Sequence, residues 1–153
     1  IEFGELGGDA LMVDLEGRLQ AAEQQGRRIQ AEDIPGYAEI RGYVTVLYNA
    51  ELPTKDGDPL SYFPICELNK RLIVERGCFD DYARFVICGW LMRALELDRL
   101  SRANGRLHRV ANIIDVYGCS LSALMCREFD KRAEALLLRL ESTVPDLTCA
   151  NLI

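Results

Sequence analysis

The chain has 153 residues, 49% of them hydrophobic and 27% charged, and carries a formal net charge of −6. Its length is about one domain, enough to bury a core, and its composition is that of a soluble globular protein. The acidic balance argues against a broad nucleic-acid surface, which needs clustered Lys and Arg. No apolar span of membrane length or basic-then-apolar signal peptide is visible, so a cytoplasmic protein is expected. The chain starts at Ile1 rather than Met, which leaves a removed N-terminal segment open.

From the N-terminus, Ile1 to Gly8 reads as loop, since Gly4, Gly7 and Gly8 make no phosphate-cradling G-x-G-x-x-G pattern and no strand precedes them. A helix is expected from Asp9, a plausible N-cap, with Met12, Leu15, Leu19 and Ala22 on one face and Gly26 as its stop. Residues 31 to 41, with Pro35 and Gly36, read as a linker, and residues 1–40 as a helical lead-in to a domain over 41–153. Tyr43 to Tyr48 alternates like a half-buried strand, Lys55-Asp56-Gly57-Asp58 supplies hairpin turn chemistry, and extended structure resumes over Leu60 to Phe63. Pro59 and Pro64 lack the N–H that a ladder needs, so this second strand belongs at or near an edge. A short helix is predicted from about Cys66 to Glu75, with Gly77 as its stop.

The next helix, about Phe79 to Leu100, is the most apolar: Phe79, Tyr82, Val86, Trp90, Ala94 and Leu97 follow helical spacing, while Phe85, Ile87, Cys88, Leu91 and Met92 cover other sides. Its middle turns must be enclosed nearly all round. A core helix against the sheet accounts for that, and so does a helix whose Phe85, Trp90 and Met92 surface walls a cavity. Val110 to Val116 then reads as a strand buried on both faces, followed by Gly118, Ser120, Ser122 and an amphipathic helix with Leu121, Met125, Phe129, Leu136 and Leu140 on one stripe. Glu128 and Arg132 stand at pairing distance, i and i+4, on its solvated face. Thr143-Val144-Pro145 stops this helix and a strand begins at Leu147. Strand, crossover helix and strand imply parallel pairing, so the fold class is α/β, a mixed, largely parallel sheet with flanking helices.

The segment Ile113-Ile114-Asp115-Val116-Tyr117-Gly118-Cys119-Ser120-Leu121-Ser122 resembles the strand-and-turn signature of the Sec14-like, or CRAL-TRIO, lipid-binding domain. Leu100-Ser101-Arg102-Ala103-Asn104-Gly105 is similar to the family's Ser-Arg-x-x-Gly link before that strand. Gly42 to Val46, followed by Asp56-Gly57-Asp58-Pro59-Leu60, resembles its opening hairpin. The resemblance covers roughly residues 40 to 153 and implies a domain truncated on its C-terminal side, either a fragment of a longer protein or a shortened relative. The function it implies is non-catalytic binding and transfer of a phospholipid, phosphoinositide or terpenoid between membranes, with transient membrane association. It places Val110, Asn112 and Ile114 on the face that lines the pocket. A protein-interaction module of the same fold is the first alternative, and a STAS-like regulatory domain the second.

Catalytic chemistry finds little support. Ser120 and Ser122 lack a G-x-S-x-G elbow, and His108, the sole histidine, lies at the other end of the strand, roughly 20 Å away for about seven residues. Asp115 lacks the second acid that would share Mg²⁺, and its expected role, with Gly118 and Ser120, is to hold the turn. Six cysteines, at 66, 78, 88, 119, 126 and 149, form no C-x-x-C pair, so no metal or cofactor is expected and all six are read as reduced thiols.

Overall fold

The computed structural model describes residues 8–49, 53–120, 124–143 and 148–152. Helix α1 (Gly8–Gln24) buries Leu11, Leu15, Leu19 and Ala22, so the inward stripe includes Leu11 where the sequence suggested Met12. Asp9 sits inside its first turn rather than capping it, where the positive end of the helix dipole favours a carboxylate. Gly26, at φ 68°, ends the helix. The predicted linker is not a surface tether. Ile29, Ile34 and Ile40 are fully buried, and a 3₁₀ turn (Ala31–Asp33) and the single-turn α2 (Tyr37–Ile40) fold it against the core. Gly36 is required there: its φ is 91°, and an added Cβ would lie 2.5 Å from the Asp81 carbonyl oxygen.

Residues 43–48 do not form the expected strand. The segment is extended, but its only ladder contact among the described residues is one antiparallel bridge, Leu47 to Tyr62. Its alternation has another cause: Val44 and Tyr48 are buried in the main core cluster while Leu47 faces solvent. The turn at Thr54–Asp58 leads into β1 (Leu60–Pro64). The predicted helix over 66–75 is broken: a 3₁₀ turn (Ile65–Glu67) is separated from α3 (Lys70–Glu75) by Leu68 and Asn69, and the Asn69 side chain accepts the Leu72 N–H as an N-cap. Helix α4 runs Phe79–Asn104, longer than the sequence suggested, and Gly105 caps it at φ 64°.

Strand β2 (Val110–Asp115), helix α5 (Arg127–Thr143) and strand β3 (Thr148–Leu152) complete the described chain. The three strands are parallel in the order β1-β2-β3, so β2 is central and proline-flanked β1 lies at an edge. Among the described residues the three strands pair in parallel, and the one antiparallel contact is the isolated Leu47–Tyr62 bridge onto β1. Helix α5 starts later than predicted; Leu121 and Ser122 lie outside the described residues, and Met125, ahead of the helix, is exposed. Phe129 and Leu140 are buried as expected. Arg132 does not pair with Glu128; it reaches Asp80 at 3.1 Å and stacks over the Phe79 ring, so an apolar surface shields its stem and its charge meets α4.

The thiol expectation is also corrected. Cys66 and Cys119 form a disulfide, with Cα atoms 5.1 Å apart, joining the chain after β1 to the turn after β2. Parallel pairing of Pro64 with Asp115 brings those two segments together, a proximity that cysteine spacing could not reveal. Cys78, Cys88 and Cys126 are free.

A cavity between helix α4 and the sheet

Parallel pairing sets Ser61 opposite Asn112 and Phe63 opposite Ile114. Successive side chains alternate across a sheet, so Ser61, Phe63, Val110, Asn112 and Ile114 share one face. That face looks toward α4, whose Tyr82, Phe85, Val86, Gly89, Trp90 and Arg93 recur at the helical period on one stripe. The two surfaces do not interdigitate. Between them lies a cavity of about 280 Å³, closed at one side by Val44, Val46 and Tyr48 of the extended segment, with Ile113 also on its wall. Protein interiors are normally packed with few voids larger than a water, so a gap of this size between a helix and its sheet is a feature to be explained.

Of the pocket residues read from sequence, Val110, Asn112, Ile114, Phe85 and Trp90 line this cavity. Met92 does not. It is fully buried in the core cluster with Leu15, Ile29 and Ile34, because two positions beyond Trp90 the helix has turned away from the sheet. A helix apolar all round does not announce which side is filled and which is hollow.

Sequence reasoning missed the polar wall. Arg93 is 5% exposed and Glu96 5% exposed. The Arg93 guanidinium donates to Glu96 at 2.5 Å and to the Asn49 side-chain oxygen at 2.8 Å, and through its other terminal nitrogen to the Tyr48 carbonyl and to Ser61 Oγ at 2.9 Å. It also lies over the Tyr48 ring, 4.1 Å from the centroid. The Ser61 hydroxyl donates to the same Tyr48 carbonyl at 2.7 Å. Asn49 donates to Glu96 at 3.1 Å and to the Ile29 carbonyl at 2.7 Å, and Arg28 approaches Glu96 at 3.4 Å from outside. The Tyr48 hydroxyl donates to the Gly89 carbonyl, and burial pushes its pKa well above the ordinary tyrosine value. On the same wall, burial pushes the Tyr82 hydroxyl up to about 12, so neither phenol ionises at neutral pH. The available signal was Arg93 and Glu96, about one turn apart, as the charged residues in the otherwise apolar stretch Phe85 to Leu97 of the helix.

The turn after β2 is built by side chains. Asp115 accepts from the Tyr62 hydroxyl at 2.6 Å and from the Tyr117 N–H at 2.8 Å. These bonds hold its carboxyl below the usual carboxylate range, Tyr62 foremost, and the same bond raises the Tyr62 hydroxyl. Gly118 follows at φ 74°, and the backbone carbonyl of Ser120 accepts the Leu124 N–H. At the opposite end, His108 is buried with Nδ1 2.8 Å from Asp58, Nε2 2.9 Å from Asn104, and its own N–H donated to Ser101 Oγ. Ser101 and Gly105 of the Ser-Arg-x-x-Gly-like link thus receive the chain and reverse it. His108 closes a hydrogen-bonded cluster with Asp58, Asn104 and Ser101.

No group of metal-ligating side chains occurs among the described residues, and no described helix is long and apolar enough to cross a membrane. Comparison with family models, curated proteins and solved structures gives no match to the chain.

Proposed function

We propose that the protein binds one hydrophobic ligand in the cavity between α4 and the β1–β2 face, and acts without catalysis as a lipid-binding and transfer module of the Sec14-like kind. One observation carries this reading: the sheet face and the α4 stripe, both mainly apolar, leave about 280 Å³ unfilled where two such surfaces would ordinarily interlock. A ligand's methylenes, worth about 0.8 kcal/mol each when buried, would gain by filling that gap. The Cys66–Cys119 bridge favours an oxidising compartment over the cytoplasm suggested by composition.

A protein-interaction module is the second reading, supported by Tyr117, 91% exposed, beside Val116, 45% exposed, at the carboxyl end of β2. Native mass spectrometry of protein purified from cells, followed by lipid extraction, separates the two. A stoichiometric apolar adduct supports the carrier. Protein that is empty, and stays empty after incubation with liposomes, overturns it in favour of the interaction module.

A further inference from the structure

The cavity has a polar end and an apolar end. Arg93, Ser61 and the Tyr48 carbonyl are joined by hydrogen bonds, and Asn112 stands opposite Ser61 in the strand register. Two residues further along both strands, about 7 Å away, the wall becomes Phe63 and Ile114, while α4, proceeding from Arg93 back to Val86, also becomes apolar. The Arg93 and Glu96 side chains, only 6% and 7% exposed, form a buried ion pair, and Arg28, 31% exposed, adds a second cation at Glu96 from outside. Of these three groups Arg93 is the one on the cavity wall, so a polar head entering the cavity meets a cation there.

Resting on the cavity reading above, we propose that the ligand is a single-chain amphiphile ending in a carboxylate, its head at Arg93 and Ser61 and its chain toward Phe63, Ile114 and Val86. Volume sets the chain number. At about 280 Å³ the cavity stands at the small end of the roughly 300–1,000 Å³ range of ligand pockets, which suits one chain better than two. Charge sets the head. Arg93 spends one terminal N–H on the neutral Ser61 hydroxyl at 2.9 Å, and a carboxylate oxygen is a stronger acceptor for that donor.

Trp90, the only tryptophan in the chain, lies on the cavity wall and reports occupancy without a label. The full chain is titrated with decanoic acid, with 1-decanol and with diacylphosphatidylcholine vesicles at neutral pH, following Trp90 emission and counting bound molecules by native mass spectrometry. Decanoate is expected to saturate at one equivalent and to bind at least about tenfold more tightly than decanol, the worth of one charge-assisted hydrogen bond. Decanol binding as well as decanoate overturns the carboxylate head while leaving the apolar cavity reading standing. A retained diacyl lipid with no decanoate bound overturns the single chain in the same way. If no probe binds and Trp90 emission stays constant, both this inference and the cavity reading fail.

Discussion

The two sides of α4 have similar compositions and opposite fates. Toward α1 and α2, its Cys88 and Met92 are fully buried with Leu15, Ile29 and Ile34, and Gly36 approaches so closely that no side chain fits. Toward the sheet, Tyr82, Phe85, Val86 and Trp90 face a void. Hydrophobicity brings a helix to a surface but does not decide whether the two interlock; complementary volumes do. The hollow side also carries the buried ionic cluster and, where β1 and β2 end, the disulfide. The side with less packing is held by directional bonds and a covalent tie.

Breaking the ionic cluster should have the largest effect. Glu96→Ala leaves Arg93 buried without its anion and is expected to cost about 3–5 kcal/mol, read from the urea midpoint, whereas Glu96→Met with Arg93→Met removes both charges and should restore much of the loss. A double variant as unstable as the single would mean that the network's neutral hydrogen bonds, not its charge balance, support the hollow side. Next in size is the staple. The bridge joins residues 53 apart, and Cys66→Ser with Cys119→Ser should cost about 2–4 kcal/mol by freeing the unfolded chain, with Trp90 emission reporting whether the cavity opens.

The contrast between the two sides is sharpest in truncations. Met92→Ala opens a new void in a filled region and should cost about 2–3 kcal/mol, while Val86→Ala enlarges an existing void and should cost about 1 kcal/mol or less. Thermal unfolding of both variants tests this, and equal losses would mean that the cavity wall is as tightly supported as the core. Which side was which could not be read in advance. The 3.6-residue period placed α4 in the interior, and the β-rich run from Val110 identified β2, because both signals are local. Met92 was misplaced because its burial depends on α1 and α2, and the strand read over 43–48 failed because alternation reports a half-buried segment without naming what buries it. Arg93, Glu96 and Asn49 escaped because their partnership spans 44 and 47 residues of sequence. The disulfide escaped for the same reason.

The smallest effect separates surface electrostatics from buried electrostatics. Lys70 reaches Asp130 at 2.6 Å and the Leu124 carbonyl at 2.6 Å, tying α3 to the start of α5, and Lys70 foremost holds the Asp130 carboxyl below its usual range. A carboxyl whose folded pKa is depressed contributes stability above its unfolded pKa, near 3.9, and loses it as pH falls through the lower folded value. With the Asp130 side chain 43% exposed, Asp130→Asn should therefore cost under about 1 kcal/mol at neutral pH, with the deficit vanishing once Asp130 is protonated in the parent fold. About 1 M salt, where the screening length is about 3 Å, should shrink the Asp130 deficit at neutral pH and leave that of Glu96→Ala nearly intact. Equal salt sensitivity of the two would show that water reaches Arg93 and Glu96, and with it that the hollow side of α4 is wet.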